Sequence, residues 1–238
     1  MQTNKDLLQN VQYIILPGQL PPGSPWTQLH NRVYRYWVEF WHKVFLSNKV
    51  EERVDFKAAF FRMSAIPVLM HQEQIVGLHM YCFFNIEQDS NSDHDYFQSE
   101  RGSKFIEILK SRNVSQVMSM EFLTIDPAWR KRSVGVSLGA ILGSLGSRIQ
   151  RSTGVGASTT IARKDLGVDA LARDFGFENV TEGLSMFNTP VVFQCLFSDR
   201  IGELSDPESK NYVDRFWSNR IDTTNLTYSK TENKRIAA

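Results

Sequence analysis

The chain has 238 residues, of which 42% are apolar, 22% charged and 12% aromatic. This composition is typical of a globular protein with a sizeable core and excludes intrinsic disorder of the whole chain. Lys and Arg number 27 against 26 Asp and Glu, a net charge of +1. Because no long-range field attracts a phosphate backbone or an anionic membrane, we expect no nucleic-acid binding.

The cysteines and the chain start indicate a cytoplasmic protein. Cys82 and Cys195 lie inside apolar runs, without the paired spacing of a zinc site or a disulfide framework, which favours a reducing compartment. Residues 1–12 are polar and lack a signal-peptide pattern. Because no apolar run reaches the ~18–20 residues of a membrane span, we expect no transmembrane segment.

The first third of the chain predicts a strand and two helices. The apolar run Val11–Leu16 predicts a strand that ends at a Pro/Gly-rich turn. Ser24 and Pro25 then supply an N-cap and a first-turn proline for an amphipathic helix of about twenty residues. Its aromatic face suits core packing, although a ligand wall is an alternative. A weaker pattern predicts a second helix over Val50–Ala65.

A hairpin and an acidic segment come next. Two apolar runs, Ile66–Met70 and Ile75–Ile86, flank a polar turn and predict a two-stranded hairpin. The polar stretch Glu87–Arg101 is predicted as an exposed loop. His94 lies there among three aspartates, a set that could take a divalent ion. We expect a solvated loop and no metal site, because no further ligand is visible.

The second half alternates helices and strands, which predicts an α/β (α+β) sheet protein. The predicted elements are a helix over Ser103–Arg112, a strand over Val117–Ile125, a helix over Ser133–Arg151, a strand over Gly154–Ala162, a helix over Leu166–Phe175, and strands over Phe177–Phe187 and Pro190–Phe197.

The polar tail is predicted to be separate from the preceding domain. We expect one domain over residues 1–197 and an extension over 198–238. The extension contains a helix that opens at Asp206 and carries Tyr212, Phe216 and Trp217, and its last fifteen or so residues are predicted to be disordered.

A basic turn follows the strand Val117–Ile125 and leads into a glycine-rich helix. Such a turn directs unpaired backbone N–H groups and the positive end of the helix dipole toward one spot, which can bind phosphate. Cationic side chains come from Arg130, Lys131 and Arg132, and small residues, Ser133 and Gly135, allow close approach. A solvated basic turn is the alternative.

The segment from Pro127 to Gly135 resembles the pyrophosphate loop of the GNAT acyltransferase superfamily, Arg/Gln-x-x-Gly-x-Gly/Ala after a strand. Arg130 and Gly135 fit this pattern, and Ser133 replaces its first glycine. The stretches Gly156–Ala162 and Asp165–Phe177 resemble the next strand and the following helix with its terminal Gly-Phe. The phrase Ser119–Arg130 is loosely similar to the N-acyl amino acid and acyl-homoserine-lactone synthase branch, although that branch has Glu at 119 and Arg at 122.

This resemblance implies a GNAT-like twisted, mostly antiparallel central sheet with splayed middle strands, flanked by helices. The gap would admit the pantetheine arm of acyl-CoA or acetyl-CoA, or of an acyl carrier protein. Main-chain groups of the strand would pair with the arm, and N–H groups of the turn would hold the phosphates. The implied binding residues are Leu123, Thr124, Ile125, Arg130, Lys131, Arg132, Ser133, Val134 and Gly135.

The implied activity is N-acyl transfer, in which an amine attacks a thioester and a base takes the amine proton. Glu121 is the first candidate base, because strand alternation places it on one face with Ser119 and Leu123, partly desolvated by apolar neighbours. A wet sheet face is the alternative for this residue. His79 is the second candidate; as a lone histidine in an apolar run it also suits a core position.

The sequence departs from the family at the general acid. Many members carry a tyrosine where this chain has Ala172, and Asp165 replaces a usual asparagine. A non-catalytic acyl-CoA-binding sensor or interaction module is therefore the alternative function. The acceptor would be a small amine, and a homodimer is left open, since the tail helix could cover the acceptor or join two subunits. Glycines at 135, 139, 143 and 146 allow either close packing or room for an acyl chain.

Overall fold

The computed structural model of the protein describes residues 4–51, 54–98 and 100–228. The α-helices in these ranges are α1 (Asn4–Gln9), α2 (Thr27–Ser47), α3 (Phe56–Phe61), α4 (Asp89–Ser92), α5 (Asp95–Gln98), α6 (Glu100–Ser111), α7 (Lys131–Val134), α8 (Leu138–Thr153), α9 (Val168–Asp174) and α10 (Pro207–Ser218). The strands are β1 (Val11–Leu16), β2 (Ile66–His71), β3 (Gln74–Asn85), β4 (Gln116–Ile125), β5 (Ala157–Arg163), β6 (Glu178–Met186), β7 (Thr189–Phe197) and β8 (Ile221–Asp222).

The strands form one mostly antiparallel sheet in the order β6-β7-β5-β4-β3-β2-β1-β8. Parallel pairing joins β4 to β5 and β1 to β8. The β4–β5 pairing covers only Val117–Ser119 against Ala157–Thr159, although both strands continue further. The mixed α/β class and the seven predicted strands are confirmed, with ends within three residues of those predicted.

The chain divides into two compact units, and β3, β4 and α8 contribute residues to both. Unit 1 takes its described residues from 1–81, 122–145 and 204–226, and unit 2 takes its described residues from 82–121, 146–203 and 227–238.

The core of unit 1 lies around β1, which pairs with β2 and β8. The C-terminal helix α10 belongs to this unit and buries Tyr212, Phe216 and Trp217. Its N-cap Asp206 accepts a hydrogen bond from the backbone N–H of Ser209 at 3.0 Å, which explains why the helix begins there. Because the three aromatic side chains are buried in unit 1, they are not available to another subunit. Most of the predicted disordered end, residues 229–238, lies outside the described residues.

The core of unit 2 lies between α6 and the β5-β7-β6 part of the sheet. β7 pairs along its length with β5, from Phe197 opposite Ala157 to Val191 opposite Arg163. The Phe105 ring of α6 meets the Phe193 ring of β7 edge-on, with centroids 5.4 Å apart. Both cysteines are in this unit as buried thiols.

Three helical predictions are wrong in detail. The expected helix over Val50–Ala65 is limited to α3, because the Asp55 carboxylate caps its start by accepting from the Ala58 N–H at 3.0 Å; residues 52 and 53 lie outside the described ranges. The expected exposed loop over Glu87–Arg101 contains α4, α5 and the start of α6, anchored by the buried Phe97 ring against Phe84.

The helix expected from Ser133 to Arg151 is two helices. α7 ends at Gly135, whose φ of +85° belongs to the left-handed region that terminates helices, and α8 begins three residues later. The break moves the start of the long helix downstream, to Leu138.

The described residues contain neither a membrane-spanning helix nor a clustered metal-ligand set. No helix there combines the length and the apolarity that a membrane span requires. Within the same ranges, no group of three or more His, Cys, Asp or Glu side chains is arranged to hold a metal ion.

Glycine is required at the turn after α9. Gly176 has a φ of +96°, and a Cβ atom built there would lie 2.2 Å from the carbonyl oxygen of Arg200. Gly183 has a φ of +73° with nothing within 4 Å of the corresponding position. Gly183→Ala is expected to cost only left-handed strain, about 1–2 kcal/mol. Gly176→Ala should cost roughly 1–3 kcal/mol more, from the clash.

Urea unfolding of the two variants measures this difference in the free energy of unfolding. Equal losses for Gly176→Ala and Gly183→Ala would show that the turn after α9 relaxes without cost.

Candidate active site

Strand β4 contains one residue with a left-handed backbone, Phe122. This residue has a φ of +54°, in the left-handed region that a bulky side chain rarely adopts. Glu121 is the last residue of unit 2 on this strand, and Phe122 is the first of unit 1. A left-handed residue inside a strand is characteristic of a bulge, which bends the strand and interrupts its pairing. The regular alternation predicted from Ser119 to Ile125 therefore breaks at Phe122.

Two tryptophans of α2 hold the Phe122 ring. The ring centroids of Trp37 and Trp41 each lie 5.1 Å from that of Phe122, with interplanar angles of 83° and 84°. Trp37 is fully buried, and Trp41 is half-buried. The aromatic face of α2 thus packs on β4, as expected for a core-facing helix.

Hydrogen bonds also join α2 to β4. The Trp41 Nε1–H donates to Thr124 Oγ1 at 3.0 Å, and Thr124 Oγ1 donates to the Phe122 carbonyl at 2.8 Å. Tyr36 Oη donates to Asp126 Oδ2 at 3.4 Å. Burial, followed by the nearby Asp126 carboxylate, raises the pKa of Tyr36 well above its usual value. These contacts fix the strand on both sides of Leu123 and Ile125, whose main chain is the predicted partner of pantetheine.

Three of the amides predicted to hold phosphate are already bonded within the basic turn. The N–H groups of Ser133 and Val134 donate to the Arg130 carbonyl at 2.7 and 3.2 Å, and the Gly135 N–H donates to the Lys131 carbonyl at 2.9 Å. Because these three N–H groups are used inside α7, they are not available as a phosphate cradle in this conformation.

The first turn of α8 supplies other amides. Ser137 caps this helix: its Oγ accepts from the Ala140 N–H at 3.2 Å, and its carbonyl accepts from the Ile141 N–H at 3.0 Å. The N–H groups of Leu138 and Gly139 come before the first repeating bond and have no acceptor within the helix. They lie at the positive end of a sixteen-residue helix.

The cations of the turn are on the surface of unit 1. Arg130 and Lys131 are exposed. The pKa of Asp206 is lowered, first because the Ser209 side chain and backbone donate to its carboxylate and, more weakly, because Lys131 is nearby. Arg132 has its backbone in α7, and its side chain lies outside the described part of the structure.

Glu121, the first candidate base, is half-buried in unit 2. Its Oε1 accepts a hydrogen bond from Ser119 Oγ at 2.6 Å, so the two side chains share a face as predicted. Ser119 is paired in register with Thr159 on β5, which is opposite Cys195 on β7. The Glu121 carboxylate is thus oriented by Ser119, which is buried beside Thr159 of the neighbouring strand.

His79, the second candidate base, is a core residue of unit 1. It is 6% exposed, and its Nδ1 is 3.1 Å from the Tyr81 hydroxyl, which also lies 3.4 Å from the Leu142 carbonyl. Burial lowers the pKa of His79 to about 3 and raises the pKa of Tyr81 above its usual range. A side chain so difficult to protonate is a poor proton acceptor at neutral pH.

The residues at the family's acid region are structural. Ala172 is buried in α9. The Asp165 carboxylate accepts from Arg163 Nε at 3.0 Å and from its Nη2 at 2.6 Å, and these bonds lower the Asp165 pKa. Neither residue supplies a proton donor for a departing thiolate.

Comparisons with known proteins support the fold assignment. No protein-family profile matches the chain, and no curated protein matches it by sequence. Solved structures with a similar fold include the following three. FeeM, an N-acyl amino acid synthase from uncultured soil microbes, superimposes with a TM-score of 0.55 at 11% identity, over 80% of this chain and 93% of FeeM.

The second, BjaI, a CoA-dependent acyl-homoserine lactone synthase, gives a TM-score of 0.54 at 9% identity, over 90% of this chain and 94% of BjaI. The third, a putative arylalkylamine N-acetyltransferase 7 of the yellow fever mosquito Aedes aegypti, gives 0.54 at 15% identity, over 79% and 88%. The chain therefore has a GNAT-like acyltransferase fold, with neighbours in the N-acyl amino acid and acyl-homoserine-lactone synthase branch.

The amides at the start of α8 were not among the residues predicted from the sequence. The family spacing also fits Arg132, Gly135 and Ser137, two residues further along, with glycine in the first glycine position and serine in the second. A capping serine directly before the apolar periodicity of α8 was the available signal. The contact of Trp37 and Trp41 with Phe122 could not be predicted, because the aromatic periodicity of α2 does not identify the residue that it packs against.

The buried His79 predicts a loss of stability in acid. An unfolded histidine binds a proton below about pH 6.5, whereas His79 in the folded protein does so only near pH 3. Between these values the unfolded state binds more protons, so the free energy of unfolding falls as pH is lowered, by about 1.4 kcal/mol per pH unit from this group.

Urea unfolding between pH 7 and pH 5, compared with His79→Gln, isolates that contribution. The variant is expected to lose less stability over this range. Parallel pH dependence of the two proteins would mean that His79 titrates normally.

Proposed function

We propose that the protein is an N-acyltransferase that moves an acyl group from acyl-CoA, or from the phosphopantetheine of an acyl carrier protein, to the amine of a small acceptor. The proposal rests on the backbone conformation of residues 122–139 in unit 1. There a strand with a left-handed residue at Phe122 runs through a basic turn into α8, whose first amides have no acceptor within the helix. Structures with this fold include synthases and acetyltransferases that acylate amines.

The donor site in this proposal uses main-chain groups. Leu123, Thr124 and Ile125 pair with the pantetheine arm as a neighbouring strand would. The phosphates lie at the N–H groups of Leu138 and Gly139, because those of Ser133 to Gly135 are already bonded. Exposed Arg130 and Lys131, with Arg132, supply the positive charge. A carrier protein would present its single phosphate to the same amides.

In the proposed reaction, the Glu121 carboxylate is the base that accepts the amine proton. The amine nitrogen forms a bond to the thioester carbon, its proton passes to Glu121, and the carbon–sulfur bond breaks to release a thiolate. Because a thiol has a pKa near 8.5, water can protonate the leaving thiolate without a dedicated acid. This accounts for catalysis with alanine at position 172.

A second candidate function is binding of the thioester without transfer, as a sensor or interaction module. The buried Ala172 favours it, because the family's usual acid is absent from α9. Thermal-shift measurements with CoA, acetyl-CoA and long-chain acyl-CoA, followed by thiol release with a panel of amines, separate the two functions. Stabilisation with amine-dependent thiol release supports the transferase, and stabilisation without release supports the sensor.

Glu121→Gln tests the proposed base. The amide retains an oxygen to accept from Ser119 but cannot take a proton, so kcat is expected to fall by roughly 10² or more while coenzyme binding is retained. Glu182→Gln is the matched control, since Glu182 is exposed on β6 and bonded to Asn179. Equal turnover of Glu121→Gln and the wild type would remove Glu121 as the base.

Ser137→Asp tests the position of the phosphate site. Aspartate is a good N-cap, so the melting temperature should be unchanged or higher. Its charge beside the amides of Leu138 and Gly139 is expected to raise the Kd for CoA at least roughly tenfold. Ser133→Asp, which places the same charge within α7, should weaken binding less. A larger increase in Kd for Ser133→Asp than for Ser137→Asp would indicate that the phosphates bind at α7 instead.

A further inference from the structure

We propose that Trp41 and Thr124 form a positioning pair that keeps β4 open for the pantetheine arm, by holding the Phe122 carbonyl out of strand pairing. The inference rests on the proposed function and goes beyond it. It assigns to an N-terminal helix the task of shaping the strand that binds the donor.

The polarity of the hydrogen-bond chain is fixed by its first donor. An indole Nε1–H can only donate, so Thr124 Oγ1 accepts from Trp41 at 3.0 Å. The one hydroxyl proton of Thr124 is then directed to the Phe122 carbonyl, 2.8 Å away. The Thr124 hydroxyl thus accepts from Trp41 and donates to the Phe122 carbonyl, and no other rotation of the hydroxyl satisfies both partners.

These two hydrogen bonds restrain the backbone of β4 at Phe122. A carbonyl bonded to a side chain two residues later is engaged in a local turn and competes with regular ladder pairing. Phe122 is the residue with left-handed φ, so the bond closes over the bend. Because Thr124 is buried against α2, the carbonyl is held on that side of the strand. The main-chain groups of Leu123 and Ile125 are thereby kept in one conformation.

Trp37 provides an internal comparison. Its ring meets Phe122 at the same 5.1 Å centroid distance as that of Trp41 and at nearly the same angle. Its buried Nε1, however, has no hydrogen-bond partner among the described residues. Trp37 therefore acts on Phe122 by packing, whereas Trp41 acts by packing and by the hydrogen bond to Thr124.

The experiment compares Trp41→Phe with Trp37→Phe, and Thr124→Val with Thr124→Ser. Trp41→Phe and Thr124→Val break the chain and are expected to raise KM for acyl-CoA roughly fivefold or more, the equivalent of one ordinary hydrogen bond. Trp37→Phe keeps an aromatic ring beside Phe122 and is expected to lower the melting temperature more than Trp41→Phe does, while raising KM less. Thr124→Ser retains the hydroxyl and should restore KM.

Amide hydrogen exchange of the ligand-free protein supplies a second readout. After correction for global stability, Leu123, Thr124 and Ile125 are expected to exchange faster in Trp41→Phe and Thr124→Val than in Trp37→Phe. Unchanged KM and unchanged exchange in those two variants would overturn the inference. If wild-type protein binds no acyl-CoA, the proposed function fails, and the exchange rates alone still decide the role of the pair.

Discussion

The left-handed backbone at Phe122 is the constraint on which the proposed site depends. A bulky residue in this conformation costs about 1–3 kcal/mol and persists only where its surroundings hold it. Two edge-on tryptophan contacts, each contributing about 0.5–1.5 kcal/mol beyond burial, offset a cost of that size. The aromatic face of α2 therefore stabilises the left-handed residue within β4, and the proposed function depends on the main-chain groups that follow it.

The second constraint is the break between α7 and α8. Gly135 ends a helical turn that consumes its own amides, and Ser137 starts a long helix that leaves its first amides unpaired. The two constraints belong to one segment of unit 1 and together suit a long donor with an extended arm and phosphates at one end. For the proposed chemistry, a half-buried carboxylate is present at Glu121, whereas α9 carries the buried Ala172 where the resemblance implies a tyrosine acid.

Most of the architecture could be predicted from the sequence, because apolar periodicity reports burial directly. The strands from β1 to β7 follow their apolar runs, and the order of motifs after Val117 indicated the fold. The bend at Phe122 could not be predicted, since phenylalanine is poorly suited to positive φ and only the tryptophans of a distant helix explain it. His79 shows a similar limit: its apolar run fits both a core histidine and a base, and burial decides for the core.

The proposed phosphate site lies at the start of α8, downstream of the predicted one, because the family pattern matched from Arg130 also fits from Arg132. The pattern can be aligned from Arg130 or from Arg132, and the hydrogen bonds within α7 favour the second alignment. Which backbone N–H groups are unbonded cannot be predicted until the helix boundaries are known. Here the left-handed Gly135 ends α7 and so sets the boundary before α8. The aromatic C-terminal helix is a related case, since its burial in unit 1 depends on partners that its own periodicity does not identify.

The most direct measurement is a titration of isotopically labelled protein with CoA, followed by backbone amide resonances. The account predicts that the amides of Leu123, Ile125, Leu138 and Gly139 shift together and saturate at one dissociation constant. Shifts confined to the exposed basic residues at 130 and 131, without saturation, would contradict it.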